Sequence, residues 1–184
     1  MRYLAIAIIF VTPVLTSFGQ GRIEWSEKRL TINDFKGIPP DPSSKQSLIA
    51  KTTVETDLNP AVIGNLRTFN KQVTNYFYPH DSWVLWADPS RLRYFQTLYD
   101  LNEWMARALR KRYNENKQLV LSGNHEKIYE EVANEFKVLR RQYDGDSDFG
   151  NNLTGQMTWE TRITERLISL SDFCKTCDSH EQSK

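Results

Sequence analysis

The chain has 184 residues, with 24 Lys and Arg against 23 Asp and Glu, a formal charge of +1 and only two cysteines. So even a balance gives no electrostatic case for nucleic acid or an anionic membrane surface. The length fits one domain with a real core, and five Trp in so polar a chain must fill that core or line a groove.

The chain opens "MRYLAIAIIFVTPVLTSFGQ": Arg2, an apolar run from Leu4 to Leu15, then Ser17-Phe18-Gly19. That order predicts a secretory signal peptide over residues 1–19, cut before Gln20 with small residues at −3 and −1. A retained N-terminal anchor is the other reading, although the run is short of the roughly 20 apolar residues a membrane span needs. No cysteine follows the run, which argues against a lipid anchor. Cleavage removes Arg2 and no acid, leaving 23 cations against 23 anions and no membrane span. The mature chain is expected to be secreted or periplasmic.

From Arg22 to about Trp86 the signals are of strands and turns. "RIEWSEKRLTI" reads as two short strands around a polar turn, and "FKGIPPDPSSKQS" as a loop of breakers. "LIAKTTVETDL" alternates and is rich in β-branched residues, with Asn59-Pro60 marking a turn after it. "NLRTFNKQVTNYFY" is predicted as a further strand, broken at Pro79, and "WVLWA" as a short apolar one.

Helices follow. Asp88-Pro89-Ser90 is a helix start, and Tyr94, Leu98, Leu101, Met105 and Leu109 then recur at helical spacing to about Lys111. A second helix is predicted over His125 to Gln142, with Ile128, Val132, Phe136 and Leu139 on one face, and then the loop "YDGDSDFGNN". A third spans roughly Gln156 to Leu170. Antiparallel strands followed by three helices make a single α+β domain over 20–172. Residues 173–184 read as a polar tail holding Cys174 and Cys177. A local structural disulfide or free tail thiols are the plain readings there. A redox pair usually sits where a strand enters a helix, and a metal clip completed by His180 lacks a fourth ligand.

Several landmarks recur together. Trp25-Ser26, Asp34-Phe35-Lys36-Gly37 and Pro39-Pro40 stand in "EWSEKRLTINDFKGIPP". "YFYPHDSWV" precedes the first helix, and Tyr143-Asp144, Gln156 and Trp159 lie further on. In this pattern the chain resembles a bacterial family of predicted secreted zinc-dependent proteases, with a zincin-like fold. The resemblance implies an H-E-x-x-H motif at the start of the first helix. Two His four apart share a helix face and can bind one Zn²⁺, while the Glu activates the metal-bound water. It also implies a third ligand in a loop like "YDxxTxHG".

The chain departs at each of those places. Tyr94 and Leu98 stand for the two His, Phe95 for the Glu, Phe149 for the third ligand and Ser147 for the Thr. Gln96, Asp100, Glu103, Ala106 and Arg107 match the flanking pattern, which makes Gln96, Asp100 and Glu103 candidate cleft residues. No catalytic residue, metal ligand or cofactor is expected at this degenerate centre. Two other sites stay open: His80 and His125 with Asp81 or Glu126 as a separate metal site, and Asp100 with Glu103 as an acid/base pair. The plainer alternatives are surface histidines and a solvated helix face pairing with Arg107.

The expectation is therefore a secreted or periplasmic pseudoenzyme, binding an envelope or extracellular protein, peptide or glycan. The rivals are a working hydrolase using Asp100, Glu103 or His80, and a structural envelope protein. Tyr94 and Leu98, one turn apart, are predicted to meet Phe149, with Phe95 beside them, in a cluster that replaces the metal.

Overall fold

The computed structural model describes residues 21–63 and 66–177. The expected leader, Gln20 and His180 lie outside the described residues. The chain is α+β, with antiparallel strands followed by helices. The strands are β1 (Ile23–Glu24), β2 (Leu48–Ile49), β3 (Thr52–Ile63), β4 (Leu66–Phe77) and β5 (Trp83–Val84). β3 and β4 form a long hairpin, in register from Thr52↔Phe77 to Ile63↔Leu66. β1 adds to the far side of β4, giving the order β1-β4-β3, and β2 pairs with β5 separately.

Period-two placement turns Val73, Asn75 and Phe77 of β4 to one buried face. Two expectations for this half need correction. Asn59-Pro60 does not end a strand, because β3 continues to Ile63. It lies at the sheet edge, where a residue without an N–H is tolerated. "RIEWSEKRLTI" holds one strand, not two. Its second half has no regular structure until Ile32, where a 3-10 helix, Ile32–Asp34, begins and Asp34 Oδ2 accepts the backbone N–H and the hydroxyl of Thr31 at 2.7 and 2.9 Å.

The helices are α1 (Pro89–Glu115), α2 (Lys117–Leu121), α3 (His125–Asp146) and α4 (Leu153–Ser169). Asp88 caps α1, accepting from Arg91 N at 2.9 Å and Ser47 Oγ at 2.7 Å. Burial pushes the Asp88 carboxyl up, but these bonds outweigh it and hold the group below the usual carboxylate range. α1, about 40 Å long at 1.5 Å per residue, is the hub of the fold, packing against β3, β4, α3 and α4. Tyr94 to Tyr99 are buried without interruption, as a helix achieves only when covered on every side.

The structure has four helices where three were expected, α2 being a short extra turn after α1. α3 also runs past Gln142 and takes in Tyr143 and Asp144, which the sequence reading places in a loop. The physical reason is the Tyr143 side chain, fully buried against α1. Burying such a ring stabilises by roughly 1.5–3 kcal/mol. The glycine at position 145 costs about 0.5–1 kcal/mol in a helix, so burial wins. Residues 173–177, assigned to the tail from sequence, are bonded to the domain. Thr176 Oγ1 donates to Trp25 O at 2.9 Å, and Lys175 Nζ reaches Thr74 Oγ1 at 3.0 Å and Glu24 at 2.9 Å. Among the described residues no helix is long and apolar enough to cross a membrane.

Candidate functional site

α1 enters the core at Tyr94. The Tyr94 ring stacks on Tyr143 of α3 at 5.2 Å between centroids with an interplanar angle of 15°. Phe95 meets it edge-on at 5.1 Å, and Tyr143 leans on Trp159 of α4 at 5.7 Å. Leu98, 2% exposed, belongs to the same core cluster. The polar tips of these rings are bonded too. Tyr94 Oη donates to Asp144 Oδ1 at 2.6 Å, and Trp159 Nε1 to Asp146 Oδ2 at 2.9 Å. Tyr143 Oη donates to the Tyr94 carbonyl at 3.3 Å, and Ser147 Oγ to the Tyr143 carbonyl at 2.6 Å. Burial, followed by the bond to the Asp144 carboxylate, pushes the Tyr94 phenol far above its ordinary pKa. Burial pushes Tyr143 up to about 12. Both therefore stay neutral at any physiological pH and serve as fixed hydrogen-bond groups.

Phe149 is not part of this cluster, contrary to the sequence expectation. Its side chain is 53% exposed, and its backbone takes left-handed angles of φ 51° and ψ 32°. The loop instead brings its backbone to α1. Arg91 Nη1 donates to Phe149 O at 2.5 Å, and Gln156 Nε2 to Gly150 O at 2.6 Å. Gly150, at φ 101°, lies so close that an added Cβ would come within 3.0 Å of Tyr94 Cβ. The ring that fills the space opposite Tyr94 is thus Tyr143, one helical turn past Leu139. Val132, Phe136, Leu139 and Tyr143 continue one helical period, and following it further would have found the residue.

These residues do not fit a zinc ion. Phe95 and Leu98 carry no donor atom, Tyr94 has its phenol committed to Asp144, and Phe149 points away. The other candidates separate as well. His80 is exposed on a 3-10 turn at Pro79–Asp81 and Asp81 pairs with Lys51 at 2.8 Å, whereas His125 and Glu126 begin α3. Among the described residues no group of three or more His, Cys, Asp and Glu is placed to hold a metal.

Asp100 and Glu103 are not a solvated pair. Glu103 is 2% exposed and bridges Arg107 at 3.1 Å and Arg110 at 2.9 Å. Asp100 is half-buried, and its Oδ1 accepts from Trp25 Nε1 and from Gln96 Nε2, both at 2.9 Å. Burial raises the Asp100 carboxyl above the usual range, against the lowering effect of those two bonds. Gln96 in turn accepts the backbone N–H of Leu30 at 2.8 Å. Gln96 and Asp100 therefore tie α1 to the N-terminal segment, while Glu103 serves the opposite end of the helix.

Of the three candidate cleft residues, Gln96 lines an open space. That cleft, of about 450 Å³, lies between Arg29–Leu30 and Pro89, Leu92, Arg93 and Gln96. Arg93 is held in it by Glu160 of α4 through bonds of 2.5 and 2.6 Å. Burial pushes the Glu160 carboxyl up, but the bond from Arg93 and its charge prevail and lower it. No spacing in the sequence signals this pair, 67 residues apart. Cys174 and Cys177 are joined in a disulfide. No protein-family model, curated protein or solved structure matches this chain.

Proposed function

We propose that this chain is a secreted or periplasmic, zincin-like pseudoenzyme that acts as a binding or structural protein of the cell envelope. One observation carries the reading. Where the resemblance places two metal ligands and a general base, the chain stacks Tyr94 on Tyr143, which leans on Trp159, sets Phe95 edge-on to Tyr94, buries Leu98 in the same core and closes the phenol onto Asp144. Filling the centre with rings removes the open coordination position that metal-assisted hydrolysis requires. What remains open beside it is the cleft under Arg29 and Gln96, to which a peptide, glycan or protein partner is assigned.

The alternative, a hydrolase with a non-standard site, would rest on Asp100 and Glu103. Both are engaged in bonds that hold the fold together, and Glu103 is 2% exposed. Elemental analysis of the purified protein tests the reading, with zinc expected far below one per chain. A content of about one zinc per chain that survives Cys174→Ser and Cys177→Ser would overturn it. Intact-mass measurement of the exported protein, expected to begin at Gln20, tests the location.

A further inference from the structure

Far from Tyr94, α1 buries a charge cluster that is out of balance. The side chains of Glu103 and Arg107 are each 3% exposed and that of Arg110 is 16% exposed. One carboxylate faces two guanidinium groups. Arg110 directs its other donors to the carbonyls of Val73 and Phe173. Arg107 donates to Leu167 O at 2.6 Å and, through Nη2, to Cys174 Sγ at 3.1 Å and Cys177 Sγ at 3.3 Å. Cys174 Sγ also accepts the backbone N–H of Cys177 at 3.0 Å. The other charges nearby do not restore the balance inside. Lys175 and Glu24 pair with one another, and Asp172 is exposed, where water screens it.

The Trp25 ring lies 5.2 Å from the Arg107 guanidinium but carries no net charge, and a disulfide sulfur is a weak acceptor, so the oxidised pair leaves the surplus buried cation without an anion. A thiolate at Cys174 would supply the missing anion to donors already in place. Cationic surroundings and N–H donors of this kind lower a thiol pKa, and a disulfide whose reduced form is so stabilised is an oxidising one. There is also a way in. A cleft of about 440 Å³, walled by Val73, Arg110, Asn114, Asp172 and Phe173, opens onto Cys174.

We propose that Cys174–Cys177 is a redox-active disulfide that oxidises the thiol pair of a cysteine-containing protein or peptide entering this cleft. A substrate thiolate attacks Cys174 Sγ, forming a mixed disulfide, and the S–S bond breaks with its electron pair on Cys177, beside Arg107. The second substrate thiolate then attacks its partner sulfur, closing the substrate disulfide and releasing Cys174 as a thiolate. The substrate loses two electrons and the protein gains two. Of the two thiol protons, one settles on Cys177 and the other goes to solvent.

The test uses the purified full chain carrying Cys177→Ser, which keeps Arg107 and the backbone N–H of position 177. The rate of Cys174 alkylation by iodoacetamide is followed against pH, with folding verified by circular dichroism. The expected midpoint lies at least one pH unit below the value of about 8.5 for an ordinary thiol, and the variant forms a mixed disulfide with oxidised glutathione. In the wild type, a glutathione buffer should reduce the disulfide while the domain remains folded. A midpoint above about 7.5 would overturn the proposal, as would a disulfide that yields only when the domain unfolds. Should Cys177→Ser fail to fold, the wild-type glutathione titration alone decides in the same way.

Discussion

The two ends of α1 bury polar groups by different means. At the Tyr94 end, neutral ring donors are turned onto carboxylates: Tyr94 onto Asp144, Trp159 onto Asp146 and, a turn and a half along, Trp25 onto Asp100. The geometry there is fixed by packed rings, and the nearest cation, Arg91, lies over the Tyr94 and Phe95 rings at 5.2 and 5.4 Å. At the Arg107 end, the helix buries full charges, two positive and one negative, and satisfies them with carbonyls and a disulfide. The first arrangement is closed and unreactive. The second leaves a charge in excess, which is the condition for chemistry.

Removing the single anion from the charged end should have the largest effect. Glu103→Leu leaves two guanidinium groups without the carboxylate they share, and breaking such a buried cluster costs about 3–5 kcal/mol. Urea unfolding followed by circular dichroism measures this. A loss below about 1 kcal/mol, as for an exposed pair, would mean that the arginines rehydrate freely and that the two ends do not differ as described.

At the aromatic end, Tyr94→Phe keeps the stacking on Tyr143 and deletes only the bond to Asp144. A hydrogen bond to a charged group contributes about 1.5–3 kcal/mol, and the loss should fall within that range in the same assay. Asp100 sharpens the contrast through pH. Its folded pKa is raised by burial, so the folded state holds the proton more tightly than the unfolded chain does. Its contribution is therefore greatest below the ordinary Asp range and is lost as pH rises through the folded pKa. Asp100→Asn keeps an acceptor oxygen for Trp25 and Gln96, and should flatten that loss. The variant is expected to be more stable than the wild type near pH 7 and to lose the advantage near pH 3. Equal pH profiles for the two proteins would show that the carboxylate is not desolvated.

The strand-then-helix order, the Asp88 cap and the buried stripe of α1 could be read from local signals, because caps and periodicity act within a few residues. The end of α3 could not. A glycine and acidic residues suggest a loop there, and only the distant surface of Tyr94 makes it favourable to continue the helix through Tyr143. The burial of Glu103 was hidden for a similar reason. A carboxylate four residues before an arginine reads as a surface pair, until Arg110, Leu167 and the disulfide close over it. Position-by-position matching to a family pattern singles out α1 from local residues alone. It cannot tell which distant neighbour packs on Tyr94.

Phe149 provides the smallest expected effect and the sharpest check on that last point. Had its ring completed the cluster, Phe149→Ala would cost about 3–5 kcal/mol, as for a buried aromatic. With the ring half in solvent and only the carbonyl engaged by Arg91, the change should stay within about 0.5 kcal/mol. The backbone adds a second arm. At φ 51° a side chain is strained by roughly 1–2 kcal/mol, which glycine relieves, while glycine gives up about 0.5–1 kcal/mol through the freedom of the unfolded chain. Phe149→Gly should therefore match or exceed the wild type, by up to about 1.5 kcal/mol, and the bond from Arg91 to the carbonyl should persist. Tyr143→Ala, made alongside, should lose several kcal/mol, since its ring is fully buried between α1 and α4. The reverse ranking, with Phe149→Ala the costlier of the two, would place the Phe149 ring inside and Tyr143 out, and the account of the filled centre would fail with it.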